Sequence, residues 1–299
     1  ISTGLPKRWG ARNPEPKPKT MKKMKTMLAV LAAGTISAAA TAQTVKIAYP
    51  NWAEGIAMTN LVAAILEEEM GYDVELTQAD PGVIYAAVAN GDQDLFLDAW
   101  LPNTHADYWD EYGDSLENLG TTFGYGVTGL VVPSYVDIDS IEELNGMADE
   151  LDNKITGIGT GAGISKNTNI AIEEYDLDFV QVNSSGPAMT AALAQAVEQS
   201  EPIVITGWKP HWMFGRFDLK VLEDPRGVYP IDGMRKVARP DFTEDMPEVA
   251  DLLKNFSMTE DQLLSLMLAI DESDDDALDV ASDWMRENGP LVESWLPRS

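Results

Sequence analysis

Short apolar runs alternate with longer segments in which apolar residues recur at helical spacing. The runs Val45–Tyr49, Asp73–Gln78 and Leu95–Ala99 predict strands, and the segments Ile56–Met70 and Gly82–Asn90 predict the helices between them. Strands that alternate with helices along a chain are typical of parallel sheets covered by helices. The first part of the chain is therefore predicted to be an α/β unit.

The same alternation returns in the second half of the chain. Strands are predicted at Gly129–Val132, Lys154–Ile158, Phe179–Asn183, Ile203–Gly207 and Lys220–Leu222, and helices from Ile141 and at Met189–Gln199. The tail is predicted to be helical at Pro247–Asn255, Thr259–Ile270 and Ala277–Asn288. One run of strands and helices ends before Gly129 and another begins after Asn153. We therefore predict two α/β lobes with a ligand cleft between them, at the strand ends.

The first 42 residues are predicted to lie outside this fold. Met21 opens a basic stretch, an apolar run begins at Met27, and small residues lead to Ala40-Thr41-Ala42. Signal peptidase recognises that order of segments, and the apolar run is shorter than the about 20 residues that a bilayer span needs. We predict a signal peptide at 21–42, a free periplasmic product, and upstream or cloning-derived sequence at 1–20.

Composition restricts the partners and the chemistry of the chain. Its formal net charge is −28, and because eight basic residues and one acidic residue precede Gln43, the remainder has 13 basic and 48 acidic residues, a net charge of −35. Such a charge repels nucleic acid and anionic membranes. Cysteine is absent, which excludes disulfides and thiolate metal sites. The acidic segment Asp271–Asp279 lacks the glycine that a calcium loop needs, so no metal site is predicted.

Sequence motifs for catalysis are scarce. The chain has two histidines, His105 and His211, and contains no H-E-x-x-H, G-x-S-x-G or Walker A sequence. Gly157–Ala162 fits the G-x-G-x-x-A fingerprint of dinucleotide-binding proteins, but the residues after it do not predict a strong helix. A glycine-rich turn whose bare backbone N–H groups bind a small carboxylate is the better interpretation. We predict neither catalytic residues nor a cofactor.

Three tryptophans stand out by their positions. Trp52, Trp100 and Trp208 each come just after a predicted strand, and the strand ends of α/β lobes face the ligand crevice. Tryptophan is the best aromatic side chain for holding a cation over its ring. A quaternary ammonium group donates no conventional hydrogen bond, so ring faces are the natural way to hold it. The tryptophans predicted to pack structurally are Trp109, Trp212, Trp284 and Trp295.

Four segments carry a family resemblance. Ala99–His105 and Thr206–Phe214, together with Gly129–Tyr135 and Ala188–Thr190, closely resemble the glycine betaine-binding proteins of osmoprotectant ABC importers. The resemblance runs from about Lys46 to the C-terminus. It implies a two-lobed α/β periplasmic binding protein, a type II-like clamshell with the ligand cleft between the lobes. It also implies a monomer that delivers a small solute to a membrane permease and is not an enzyme.

The resemblance implies particular ligand contacts at the cation end. In that family three tryptophan rings form a prism around the trimethylammonium group of the ligand. The matching positions in this sequence are Trp52, Trp100 and Trp208. Tyr85 stands where some relatives have tryptophan, which puts the outer contacts of the ligand in question.

At the other end, the resemblance implies that a histidine and two backbone amides of a glycine turn hold the ligand carboxylate. These positions match His105, Gly163 and Ile164. The predicted lobe limits are 43–128 for the first lobe, 129–227 for the second, and 228–299 for a return to the first. Contacts from both lobes would favour a closed clamshell.

The identity of the ligand stays open at this stage. Glycine betaine, proline betaine and dimethylsulfoniopropionate all pair an onium group with a carboxylate. Choline, carnitine, ectoine or an amino acid is an alternative, although choline would leave the donors at its far end unused. An enzyme acting on a methylated zwitterion is a further alternative. It would need a base, for which His105, Tyr85 or a carboxylate could serve.

Overall fold

The computed structural model describes residues 43–298. The predicted signal peptide at 21–42 and the segment 1–20 lie outside the described residues. Of the helices within the described range, none combines the length and the apolar character that a bilayer crossing requires.

Strands and helices alternate through most of the described range. The strands are β1 (Thr44–Tyr49), β2 (Asp73–Gln78), β3 (Leu95–Leu101), β4 (Glu117–Pro133), β5 (Lys154–Gly157), β6 (Val180–Asn183), β7 (Val204–Lys209), β8 (Leu219–Val221) and β9 (Ile231–Ala238). The helices are α1 (Ala53–Ala64), α2 (Pro81–Ala89), α3 (Ala106–Tyr112), α4 (Gly163–Glu174), α5 (Gly186–Gln199), α6 (Met213–Arg216), α7 (Phe242–Asp245), α8 (Pro247–Asn255), α9 (Glu260–Glu272), α10 (Ala277–Glu287) and α11 (Gly289–Trp295). Short 3₁₀ segments lie at Gly113–Ser115 and Ile141–Met147, and a π-helical turn lies at Ile65–Glu69.

The strands of residues 43–298 form one mixed sheet in the order β2-β1-β3-β9-β4-β7-β5-β6, with β8 paired to β4. The outer pairs, β1–β2, β1–β3, β5–β6 and β5–β7, are parallel. The central pairs, β3–β9, β9–β4 and β4–β7, are antiparallel. The prediction of parallel sheets is therefore wrong at the centre, where the sequence analysis predicts neither β9 nor Glu117–Thr128 of β4.

The strand segments that the sequence analysis misses have the local composition of turns. Strand β4 contains four glycines between Gly120 and Gly129, and β9 has a glycine near its start and two adjacent basic residues in its middle. Glycine and lysine are depleted in strands. Gly126 has a packing reason, because a Cβ there would lie 2.4 Å from the Trp100 ring. Pairing with distant segments, rather than local propensity, therefore forms these strands.

Strand β4 belongs to both halves of the sheet. Its Glu117–Val127 stretch pairs with β9, and its Val127–Val131 stretch pairs with β7. Parallel units flank it, with β1 to β3 and helices α1 and α2 on one side and β5 to β7 and helices α4 and α5 on the other. This is the two-lobed α/β arrangement that the sequence predicts. The limits 43–128, 129–227 and 228–299 stay a proposal.

Helix α4 differs from the sequence prediction. The residues after Gly157–Ala162 do not predict a strong helix, yet Gly163–Glu174 is helical. Its Ser165–Asn169 stretch consists of polar residues, several of which have low helix propensity. Burial of Ile164 and Ala171 compensates for that propensity. Tertiary packing therefore decides the conformation of this segment.

A lysine lies in the core between β9, β4 and α8. Lys236 is 0% exposed, and its Nζ donates to the backbone oxygen of Thr121 at 3.0 Å and to that of Phe256. Among the described residues no carboxylate forms an ion pair with it. Burial therefore lowers the pKa of Lys236 to about 8.

The substitution Lys236→Met tests this desolvation. Above pH 8 the folded protein releases the lysine proton while the unfolded chain still holds it, so the folded state gains stability as the pH rises towards 10. The free energy of unfolding should gain up to about 3 kcal/mol relative to the variant over that interval. Urea denaturation of both proteins from pH 7 to 10 measures the difference. Parallel profiles would contradict a desolvated ammonium group.

Candidate ligand-binding site

A cavity of about 260 Å³ lies between the carboxyl ends of β3 and β7 and the first turns of α1 and α4. Its lining residues are Trp52, Glu54, Trp100, Thr104, His105, Thr128, Ile158, Ala162, Gly163, Ile164 and Trp208. All six residues that the sequence analysis predicts as ligand contacts are among them.

Three indole side chains, which we call the aromatic cage, line this cavity. Trp52 caps the N-terminus of α1, whereas Trp100 and Trp208 are the second-last residues of β3 and β7 and not, as predicted, the residues after a strand. The ring centroids of Trp52 and Trp208 lie 6.5 Å apart, with the ring planes at 60°. Trp100 and Trp208 are each 3% exposed, so a group between the rings is shielded from water.

Two cage indoles donate their N–H groups to buried carboxyl groups. Trp208 Nε1 donates to Glu54 Oε2 at 2.8 Å, and Trp100 Nε1 donates to Asp98 Oδ1 at 2.9 Å. Burial raises the pKa of Glu54 to about 7, and burial together with the charge of Glu54 raises the pKa of Asp98. Neither residue is predicted from the sequence. The available signal is an aspartate inside the otherwise apolar run Leu95–Leu101.

His105 is oriented through its ring nitrogen Nδ1. The backbone N–H of Trp100 donates to Nδ1 at 3.1 Å, and the Tyr85 hydroxyl lies 3.3 Å from the same atom. Because Nδ1 accepts a main-chain N–H, the neutral ring carries its proton on Nε2. Nε2 is buried and has no hydrogen-bond partner among the described residues, so its N–H is available to the cavity. Burial lowers the pKa of His105 to about 3, which keeps the ring neutral at physiological pH.

Asp232 holds the segment that carries His105. Its Oδ1 accepts the backbone N–H of Asn103 at 2.6 Å, and its Oδ2 accepts the backbone N–H of Thr104 at 2.9 Å. The Thr104 hydroxyl donates to the same Oδ2. Asp232 lies on β9, which the sequence analysis does not predict, and its role is therefore missed as well.

The N-terminus of α4 supplies backbone donors. Among the described residues, the N–H groups of Gly163 and Ile164 donate to no carbonyl, whereas the next N–H, of Ser165, donates to Ala162. The first N–H groups of a helix have no partner within the helix and attract negative charge. Gly163 must be glycine, because a Cβ there would lie 2.0 Å from the backbone oxygen of Thr104.

Two other residues near the cavity complete its polar surroundings. Tyr85 is 0% exposed and contacts His105 and Tyr108, but it does not line the cavity. It therefore supports the histidine rather than taking the place of a cage tryptophan. Thr128 does line the cavity, and its hydroxyl has no hydrogen-bond partner among the described residues. Thr128 is not predicted from the sequence, because its local sequence carries no signal.

Contacts across the cavity bring its two sides together. The Tyr108 hydroxyl donates to the backbone oxygen of Gly161 at 2.8 Å, and Lys166 forms an exposed ion pair with Asp107. The Trp208–Glu54 hydrogen bond also joins the two sides. Because donors on one side reach acceptors on the other, the cleft is closed in this structure.

A mixed sheet with parallel units on both sides, and a closed cavity at the strand ends of both, defines a two-lobed substrate-binding protein. The chain belongs to the family of substrate-binding domains of ABC-type glycine betaine transport systems, whose family model matches residues 43–287. The resemblance noted from the sequence is therefore confirmed.

Individual relatives agree with the family assignment. The structure is similar to that of lactococcal OpuAC in its closed conformation with glycine betaine, with a TM-score of 0.80 and 36% identity, over 85% of this chain and 100% of that chain. It is similar to the glycine betaine, L-proline-binding protein ProX of Borrelia burgdorferi, with a TM-score of 0.82 and 32% identity, over 86% and 97% of the two chains. The glycine betaine/carnitine transport binding protein GbuC of Listeria monocytogenes is 37% identical over 153 residues, which span about half of each protein, 50% of this chain and 51% of GbuC.

Neither histidine should titrate between pH 4.5 and 8 in the folded protein. Burial lowers the pKa of both His105 and His211 to about 3, whereas an exposed histidine titrates near about 6.5. Nitrogen NMR of the imidazole rings should show constant shifts over that range and, for His105, a proton on Nε2. The protein in urea is the control, in which both rings should titrate. A midpoint above pH 5 for folded His105 would contradict its neutral state.

Proposed function

We propose that this protein captures glycine betaine, or a related onium carboxylate such as proline betaine or dimethylsulfoniopropionate, for osmoprotectant uptake by an ABC importer. The observation that supports the proposal is one cavity that carries three indole rings and, elsewhere on its wall, N–H donors that have no partner among the described residues. The proposed cation contacts are Trp52, Trp100 and Trp208, and the proposed carboxylate contacts are His105, Gly163 and Ile164.

The cation end of the ligand matches the aromatic cage. A cation over an indole ring gains about 0.5–1 kcal/mol at an exposed site and about 2 kcal/mol or more when both are desolvated. Trp100 and Trp208 are almost completely buried, so the larger value applies. A primary ammonium group would lose strong hydration on entering the same space, whereas a methylated cation has little to lose.

The carboxylate end matches the donors. The Nε2–H of His105 and the first-turn N–H groups of Gly163 and Ile164 line the same cavity. Hydrogen bonds to a charged acceptor contribute about 1.5–3 kcal/mol each. The histidine donates without carrying a charge, so the carboxylate is held by hydrogen bonds and the helix dipole rather than by an ion pair.

We also propose that residues 21–42 are a signal peptide, that the protein acts as a periplasmic monomer, and that a membrane permease recognises its closed form. The cage and the donors draw side chains from both sides of the cleft. A ligand that contacts both sides favours the closed form by the difference in its affinity for the two forms. The permease can then distinguish loaded from empty protein.

The alternatives are disfavoured for chemical reasons. Choline offers no carboxylate, so the Nε2–H of His105 and the α4 amides would stay unpaired, at about 1–3 kcal/mol for each buried group. A lyase or demethylase needs a base at the cage. His105 cannot serve, because its Nδ1 already accepts the Trp100 N–H and its Nε2 carries the proton. Tyr85 does not line the cavity, whereas the carboxyl group of Glu54 does and is the one candidate base left for the enzyme alternative. Carnitine, another alternative, retains both charged ends, so this argument does not disfavour it.

Titration of the purified protein with glycine betaine and with glycine tests the proposal. The two solutes share the carboxylate and differ only in the three methyl groups on nitrogen. Tryptophan fluorescence and calorimetry should show saturable binding of glycine betaine and no binding of glycine at the same concentrations. Equal affinity for both solutes would reject the aromatic cage as the cation site.

The substitution Trp208→Ala should weaken glycine betaine binding by about 2 kcal/mol, roughly thirtyfold, because one desolvated cation–π contact is lost. Trp284→Ala is the matched control. Trp284 is also buried, at 6% exposure, and its indole N–H donates to Ser265 Oγ at 3.1 Å, away from the cavity. It should lower the thermal midpoint without changing the affinity. The reverse ranking would place the ligand elsewhere.

The substitution His105→Ala should cost roughly 1.5–3 kcal/mol in glycine betaine affinity, because a hydrogen bond to a charged acceptor is lost. Its effect on choline, measured by the same calorimetry, should be much smaller, since choline has no carboxylate. Equal losses for both solutes would indicate damage to the fold. A loss confined to glycine betaine would place His105 at the carboxylate end.

A further inference from the structure

Two carboxyl groups lie directly behind the aromatic cage. Glu54 is 1% exposed and lines the cavity from the first turn of α1, while Asp98 is 0% exposed on β3. Asp98 Oδ2 has no hydrogen-bond partner among the described residues. It lies 2.9 Å from the position that a Cβ on Gly55 would occupy, directly against the residue that follows Glu54. We call Glu54 and Asp98 the carboxyl pair.

The surroundings of the carboxyl pair hold no counter-charge. Burial is the main reason why the pKa of each carboxyl is raised, and no lysine or arginine of residues 43–298 contributes to either shift. The titratable groups around the pair are neutral or already paired. They are Tyr85 on α2, His105 before α3, His211 after β7, Asp232 on β9 with its donors Asn103 and Thr104, and Asp271 on α9, which is paired with Arg216. Two buried carboxyl groups so close to each other are not both ionised, so the pair holds a proton near neutral pH.

We propose that the carboxyl pair is the counter-charge of the ligand's onium group: it shares one proton in the ligand-free protein and releases that proton to the buffer when the cation enters the cage. The inference rests on the proposed function, because it takes the occupant to be an onium carboxylate. Only a proton moves; it passes from the pair to the solvent, and no covalent bond of the ligand changes.

The cage rings couple the pair to the ligand. An indole that donates its N–H to an ionised carboxylate is polarised, which makes its ring face more negative and its attraction for a cation stronger. Glu54 attracts the ligand cation directly from the cavity wall, and also indirectly, by polarising the Trp208 ring whose N–H it accepts. Asp98 acts through Trp100, whose indole N–H it accepts, so it is a positioning residue. A cation in the cage in turn favours ionised Glu54, and by linkage each event favours the other equally.

The sign of the resulting pH dependence follows from the raised pKa of Glu54. Affinity is greatest above the pKa of the ligand-free pair and is lost as the pH falls through it. With Glu54 at about 7, affinity for glycine betaine should fall about tenfold between pH 8.5 and pH 6. The ligand carboxylate, with an ordinary pKa below about 4, and His105, at about 3, do not titrate in that range.

Calorimetry of glycine betaine binding in two buffers of different ionisation enthalpy, phosphate and Tris, counts the protons released. At pH 7 we expect about half a proton per ligand bound, and close to none at pH 8.5. The result at pH 8.5 also separates the two proposals. No binding there would reject the proposed function, whereas binding with no proton release at either pH would reject the role of the carboxyl pair alone.

Two substitutions locate the proton. Glu54→Gln keeps an oxygen that can accept the Trp208 N–H, so binding should persist, about tenfold weaker at pH 8.5, with no pH dependence down to pH 6 and no proton release. Asp98→Asn leaves burial, the main cause of the raised pKa of Glu54, unchanged, so the pH dependence and the proton release should persist. Asp271→Asn, which alters another carboxyl of raised pKa outside the cavity, is the matched control and should retain the unmodified profile.

A Glu54→Gln profile that runs parallel to that of the unmodified protein from pH 6 to 8.5 would overturn the proposal, since it would leave Glu54 a purely structural role. If either variant fails to fold, which circular dichroism would reveal, the proton count of the unmodified protein decides the question by itself.

Discussion

The hydrogen bond from the Trp208 indole to Glu54 joins the two sides of the cavity. Its donor belongs to β7 and its acceptor to α1, 2.8 Å apart and 154 residues apart in sequence. A quaternary cation cannot donate to an acceptor, so its position depends on ring faces, and an indole has a single N–H by which its ring can be held. Because that N–H is held from the opposite side, orientation of the ring and closure of the cleft occur together.

The carboxylate end of the cavity, at His105 and the first turn of α4, must offer hydrogen-bond donors, whereas the cation end offers ring faces. There the protein must keep N–H donors unpaired in a dry place, at a cost of about 1–3 kcal/mol each, until a carboxylate arrives. The backbone N–H of Trp100 donates to Nδ1 of His105, so the proton of the ring lies on Nε2, which faces the cavity. Asp232 holds the loop that carries the ring. The first turn of α4 adds donors that no helix can satisfy internally. The closed form without ligand is thereby disfavoured, which helps the cleft to open.

The sequence predicts the outer, parallel parts of the sheet and six of the eleven residues that line the candidate site, because apolar runs and recognisable segments are local features. It does not predict β9 or most of β4, whose glycines and charged residues form strands only through pairing with distant segments. It misses Glu54 and Asp232 because their contacts join distant segments, and it misses Asp98 although an aspartate inside an apolar run is a local signal. Asp232 acts on Asn103, 129 residues away in sequence. A contact of that range leaves no pattern in a single sequence.

The two ends of the cavity have opposite polarity. Recognition therefore depends on the charge that the ligand presents at each end and not on the net charge of the ligand. A simple anion would meet the carboxyl pair, and a simple cation would leave the histidine and the α4 amides unpaired. A zwitterion of matching length satisfies both ends while adding no net charge. At neutral pH His105 is neutral, and the carboxyl pair with its one proton carries a single negative charge rather than two. The empty cavity therefore avoids the desolvation cost of a second buried anion, and the second charge of the pair develops only when the ligand supplies its counter-charge.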